Sequence, residues 1–228
     1  MSAAMSAPRQ LALALGHTEN LTREDFLAGP SNEAALAMIE RWPDWPGRVL
    51  ALAGPAGAGK SHLAAIWAAQ AGARFLAARA LSETHPPAAL ATGALVVEDV
   101  PEDGLDERAL FHLLNLARQE GGWLVFTARV APTQWRVALP DLASRLRAIP
   151  ALTLAPPDDA LLRAVIVKLF ADRQLAVDES LVGYLASRIE RSFAAARGVV
   201  DLIDREALRR KRPVNRNFAA DILRDTTP

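Results

Sequence analysis

One octapeptide, GPAGAGKS at residues 54–61, limits what this chain can fold into more than any other stretch. It satisfies the spacing G-x-x-x-x-G-K-S/T in full. A loop that wraps a phosphate must turn its backbone N–H groups inward, and glycine permits the positive φ angles and close approach this requires. The loop must then run into a helix N-terminus, whose unpaired N–H groups and positive dipole end favour an anion. Both flanks fit. VLALAG (49–54) is a short apolar run, as in a buried parallel strand, and residues 60–71 read as a helix closed by Gly72. The backbone of Gly54, Pro55, Ala56, Gly57, Ala58 and Gly59 is therefore expected to cradle a nucleoside phosphate, ADP or ATP. Lys60 would reach the β- and γ-phosphates, and the Ser61 hydroxyl would ligate Mg²⁺.

A strand of this kind needs neighbours, and the sequence supplies them. RFLAAR (74–79), ALVVEDV (94–100), WLVFTAR (123–129) and ALTLA (151–155) read as four more strands. Between them lie helical segments, among them DERALFHLLNLARQEGG with Leu110, Leu113, Leu114 and Ala117 on one stripe, and the short PDLASRLR. This alternation predicts an α/β domain with a parallel five-stranded sheet covered by helices. Ahead of it, residues 32–41 place Ala35, Leu36 and Ile39 on one helical face, capped by Ser31 or Asn32 and broken by WPDWP. After Pro156 and Pro157 the pattern turns wholly helical: Leu162, Val165, Ile166, Leu169 and Phe170 fall at helical spacing. Asp158, Asp178, Ser192 and Asn215 stand where caps are expected. The expected organisation is a tail at 1–20, a nucleotide-binding domain at 21–155 and a small all-helical lid at 156–228.

Composition narrows the function. Lys plus Arg and Asp plus Glu both number 26, so the chain has no net charge and no broad basic surface for sequence-independent nucleic-acid binding. The run RRKR (209–212) is its one basic cluster and reads best as a solvated helix end. The absence of cysteine excludes a thiolate zinc site, a disulfide framework and a cysteine nucleophile. Histidines at 17, 62, 85 and 112 make no metal-ligand spacing. No run of 18 apolar residues and no signal pattern is present, so a soluble cytoplasmic protein without membrane contact is expected.

Hydrolysis needs more than a loop. Glu98 and Asp99, at the end of LVVEDV, stand where a neighbouring strand would present carboxylates to Mg²⁺ and to the attacking water. Glu98 holds a position where aspartate is more usual, and its extra methylene is expected to carry the carboxylate about one bond too far. Thr127 ends its strand where a polar group could touch the terminal phosphate or its water, although such a threonine also serves simply as a strand end. Arg145 is a candidate arginine finger acting in trans, with Arg147 its competitor and a surface salt bridge the plain reading of both. Arg191 and Arg197 flank SFAAA and are candidates to close over the phosphates from the lid.

The order FLAGPSN, GPAGAGKSHL, LVVEDV, VFTAR, PDLASRLR and a helical lid resembles the AAA+ module of the DnaA family, and more closely the Hda-like regulatory inactivators of DnaA. The resemblance runs from about Phe26 to the last residue. It implies that Phe26, Asn32 and His62 join the nucleotide site. It also implies that a DNA-reading helix-turn-helix is absent and that direct DNA binding is weak. Gln10-Leu11-Ala12-Leu13-Ala14-Leu15 fits the Q-L-x-L-x-L form of a sliding-clamp peptide, with Gln10, Leu11, Leu13 and Leu15 as its contacts. On pattern alone the same leucines equally suit an extra strand packed on the chain's own core. Where the family has a sensor arginine in the lid, this chain has Ala194, so Arg191 or Arg197 substitutes or the contact is missing. The function implied is a nucleotide-holding, clamp-docked regulator of replication initiation that presents Arg145 to ATP on DnaA; Arg145 could instead engage a second copy. The rival readings are an autonomous AAA+ ATPase, a small-molecule kinase and a DNA-binding protein.

Overall fold

A computed structural model describes residues 21–81 and 86–226; the proposed clamp peptide at 10–15 lies outside the described residues. Five strands form one wholly parallel sheet: β1 (Val49–Ala53), β2 (Arg74–Ala77), β3 (Ala94–Val100), β4 (Trp123–Ala128) and β5 (Ala151–Thr153), in the order β2-β3-β4-β1-β5. β1, β3 and β4 are buried nearly throughout, as apolar strands covered on both faces must be.

The helices α1 (Glu33–Glu40) and α2 (Lys60–Ala71) lie against one face of the sheet, where Ile39, Leu63 and Trp67 pack on Leu50, Leu52, Val96 and Val125. The short α3 (Pro86–Ala89), α4 (Glu107–Glu120) and α5 (Pro140–Arg147) cover the other, where Leu110, Leu113, Leu142 and Leu146 meet Leu95, Val97, Leu124 and Phe126. A third core belongs to the lid: α6 (Asp159–Asp172), α7 (Glu179–Ala186), α8 (Phe193–Arg210) and α9 (Arg216–Thr226) bury Ile166, Phe170, Leu185, Val200, Ile203 and Phe218 among themselves.

The expected caps form. Asp158, Asp178, Ser192 and Asn215 accept hydrogen bonds from the N–H groups of Leu161, Leu181, Ala195 and Phe218. Asn32 is different. It precedes α1 but makes no cap hydrogen bond; its buried amide turns back, accepting from Gly29 N and donating to Leu27 O. It ties the loop before α1 in place. ALTLA is strand only over β5, and its Leu154 is fully buried beyond the strand's end.

The sheet order matters for the site. β4 lies between β1, which feeds the phosphate loop, and β3, which ends in carboxylates. A residue at the carboxyl end of β4 therefore faces both. No helix among the described residues is long and apolar enough to cross a membrane.

Candidate functional site

The loop of residues 54–59 leaves β1 and enters α2 at Lys60. Gly54 has φ +153°, and a Cβ there would stand 2.5 Å from Leu154 O, so no larger residue fits between the loop and the neighbouring strand. Gly57 has φ +72°, and its Cβ would come within 2.9 Å of Ser192 Cβ and 3.0 Å of Ala194 Cβ. That contact brings the lid onto the loop. Phe193 N donates to Gly57 O at 2.9 Å, and the Phe193 ring covers Gly59.

Lys60 is 8% exposed, and its ammonium donates to the carbonyls of Gly54 (2.8 Å) and Pro55 (2.7 Å). Burial pushes its pKa below the ordinary lysine value, Asp99 opposes the shift and Arg129 adds to it. With an anion in the loop those carbonyls would be exchanged for phosphate oxygens, which repay the desolvation of a buried ammonium far better.

The carboxylate side comes from β3. Its ladder with β4 slips between Val97 and Val100, and Asp99 takes φ +54° at that irregularity. Bulges re-aim side chains. Thr127, buried on β4, fixes the distortion by accepting from Asp99 N at 3.0 Å. Its own hydroxyl proton remains available to a further acceptor. Glu98, half-buried near the end of β3, lies near Ser61. Burial raises the Glu98 pKa above its ordinary value, the charge of Asp99 raises it further, and the nearby Ser61 hydroxyl works against both. Among the described residues no three His, Asp or Glu side chains gather into a cage. The donor set of one hydroxyl, one carboxylate and the nucleotide's own oxygens fits Mg²⁺, which keeps its waters and binds through few protein groups.

Beyond the loop, a cavity of about 420 Å³ opens between the α/β domain and the lid. Phe26, Asn32 and His62 line it from the core, and Lys168, Phe193 and Arg197 from the lid. The Phe26 and His62 rings meet edge to face with centroids 5.1 Å apart, and a His62 ring nitrogen lies 2.7 Å from Thr22 O. Lys168 ties lid to core: its ammonium pairs with Asp25 at 2.7 Å and with Asp172 on its own helix at 2.9 Å. Burial works against that charge, but the two carboxylates hold the Lys168 pKa above its ordinary value, and Lys168 in turn lowers that of Asp25. A site with cationic and glycine-rich walls at one end and aromatic walls at the other suits a nucleotide.

The remaining predicted residues divide. Arg197 lines the cavity, whereas exposed Arg191 is not among its lining residues. Ala194 lies over Gly57 and presents only a methyl group there. Arg145, half-buried on α5, stacks on Phe111 of α4 with its guanidinium 4.7 Å from the ring centroid, and no described carboxylate pairs with it. Arg147 is exposed. Three of the four residues of the basic run have carboxylate partners: Arg209 and Arg210 share Glu206, and Arg212 pairs with Asp221. Two participants escaped sequence reasoning, namely Lys168 and Asp25, because each reaches the site through tertiary contacts rather than a motif.

The sheet order, the loop and the helical lid together define a P-loop module of the AAA+ type. Solved structures share this fold. Domain III of Thermotoga maritima DnaA superposes with a TM-score of 0.77 at 19% identity, over 91% of this chain and 97% of that one. AMPPCP-bound DnaA from Aquifex aeolicus gives 0.67 at 18% identity, over 85% and 69% of the two chains. The Thermotoga maritima RuvB Holliday junction branch migration motor gives 0.68 at 16% identity, over 89% and 71%. Sequence similarity is more selective, and it makes the chain a homologue of the DnaA AAA+ domain. The chromosomal replication initiator protein DnaA of Caulobacter vibrioides is 32% identical over 168 residues, covering 63% of this chain and 34% of that protein. DnaA of Lactobacillus delbrueckii subsp. bulgaricus is 25% identical over 247 residues, covering 95% and 53%. The chain thus spans about half or less of the length of these curated relatives. No protein-family model matches it.

Proposed function

We propose that this chain is a nucleotide-binding AAA+ regulator of replication initiation, which docks on the DNA polymerase sliding clamp and promotes ATP hydrolysis by DnaA. The observation that carries this reading is the pairing of a complete phosphate-binding cleft with an arginine, Arg145, held half-exposed by an aromatic ring instead of a carboxylate. An arginine so held keeps its charge available to a phosphate on another molecule, and a finger supplied in trans raises hydrolysis by roughly 10³–10⁵-fold. ADP or ATP with Mg²⁺ would lie between the loop and Phe193, with Lys60 on the β-phosphate, Ser61 and Glu98 on the metal, and Asp99 and Thr127 at the water. Gln10, Leu11, Leu13 and Leu15 would form the clamp peptide, the leucines entering an apolar cleft and Gln10 bonding at its rim. The pairing of three of the four residues of the basic run with carboxylates supports weak direct DNA binding.

Binding to purified sliding clamp, wild type against the double change Gln10→Ala/Leu13→Ala, tests the docking half. Micromolar or tighter binding that the double change removes is the expected result; no binding returns the leucines to the chain's own core. A second reading, an autonomous AAA+ ATPase, is favoured by one feature: Glu98 lies near Ser61, where a carboxylate could share a metal with its hydroxyl.

A further inference from the structure

Arg145 rides on α5, a short helix that cannot fix its own start. Leu142 and Leu146 are buried beneath it, which decides the face it turns inward. Apolar burial is non-directional, so it leaves the placement of the helix along that face open. The N-cap is Leu139, which has no side-chain oxygen, and Pro140 opens the helix without an N–H. The missing anchor comes from Glu107, in the first turn of α4. Its Oε1 accepts from Ala138 N and its Oε2 from Leu139 N, each at 2.8 Å. A carboxylate that takes two consecutive N–H groups, one on each oxygen, fixes the direction of the chain there as well as its position. It also sets negative charge at a helix start, where the dipole favours it. The anchor is itself held. Asp106 caps α4 by accepting from Ala109 N at 2.9 Å, and Glu102 O accepts from Arg136 N at 2.6 Å, tying the two entry loops together. Glu107 and Phe111 stand four residues apart, so one face of α4 holds the entry of α5 with a carboxylate and Arg145 with a ring.

We propose that Glu107 is a positioning residue for Arg145: by fixing the entry to α5, it holds the guanidinium where it can meet a phosphate on another molecule. The proposal rests on the reading of Arg145 as a finger supplied in trans. Both oxygens of Glu107 are committed to backbone, so the carboxylate steers the arginine through the helix without pairing with it. Placement matters because a displacement of about 1 Å can lower a rate about a hundredfold.

ATP hydrolysis by DnaA with clamp loaded on DNA, measured against rising amounts of this protein, tests the proposal. The forms compared are wild type, Glu107→Ala, Glu107→Gln, Arg145→Ala and the double variant Glu107→Ala/Arg145→Ala. Glu107→Ala is expected to lower the maximal stimulated rate about ten- to a hundredfold. Its half-saturating concentration, clamp binding and ADP affinity should stay as in wild type. Glu107→Gln keeps one acceptor oxygen and should recover part of the maximum. The double variant should lose no more than Arg145→Ala alone, because the carboxylate acts only through the arginine. An unchanged maximum in Glu107→Ala would overturn the proposal, as would a further loss in the double variant. Loss of ADP binding in step with the rate would make Glu107 merely structural and overturn it too. Stimulation by Arg145→Ala equal to wild type would bring down the finger reading itself, and the proposal with it.

Discussion

The two ends of the cleft are built by different means. The phosphate end is made of consecutive residues: Gly54, Gly57 and Gly59 hold positive φ angles, and the Lys60 ammonium folds back onto the carbonyls of Gly54 and Pro55. The nucleoside end is made of side chains from distant segments, Asp25 and Phe26 before α1, His62 on α2, and Lys168, Phe193 and Arg197 on the lid. The difference teaches where regulation can enter. A backbone cradle is present whenever its strand and helix are folded, whereas the nucleoside end exists only while the lid rests on the core. The contacts that keep it there include Phe193 N to Gly57 O, Lys168 to Asp25, and Leu161 packed on Gly29.

Separating the ends experimentally begins with the lid. Phe193→Ala removes a buried ring at the junction and should cost about 3 kcal/mol of stability, the low end for a buried Phe→Ala change. Thermal melting measures that loss, and titration should show AMP, ADP and ATP weakened alike. Lys60→Ala should do the opposite. The nucleotide-free melting curve should hardly move, because the ammonium it removes is itself destabilised by burial. ADP affinity should fall by about ten- to a hundredfold, the worth of one or two charge-assisted hydrogen bonds, with AMP affected least. Unchanged ADP affinity would remove the phosphate-loop assignment.

The smallest effect concerns Glu98. Its carboxyl has a raised pKa in the folded chain, so the native state binds that proton more tightly than the unfolded state does. The sign follows from linkage. The stability cost is absent below the unfolded carboxylate pKa and grows as pH rises through the folded value. Glu98→Gln should therefore raise the melting temperature slightly at neutral pH and leave it unchanged in acid below the carboxylate range. A larger gain in acid than at neutral pH would contradict the placement of Glu98 in a partly buried site beside Asp99.

The same contrast explains what could be read without coordinates. The phosphate end was legible because its residues are consecutive and their chemistry demands that order; strand, loop and helix lie where expected. The five strands and the lid's caps were legible for the same local reason. The nucleoside end was not, since Lys168 and Asp25 meet across 143 residues of chain. Two details of the phosphate end were also hidden. Asp99 adopts a left-handed backbone at a slipped register, and Thr127 meets it only because the sheet order sets β4 beside β3. Asn32 shows the limit of local rules: a cap residue by pattern, it instead spends its amide on the loop behind it.

The most direct test of the account is the rate of ATP hydrolysis in a mixture of this protein, DnaA and clamp loaded on DNA, compared with the rates of this protein alone and DnaA alone. The account predicts a mixed rate well above the sum of the separate ones, lost in Arg145→Ala although that variant still binds clamp. Turnover by this protein alone that equals the mixture, and that Arg145→Ala leaves intact, would contradict it and establish the autonomous ATPase.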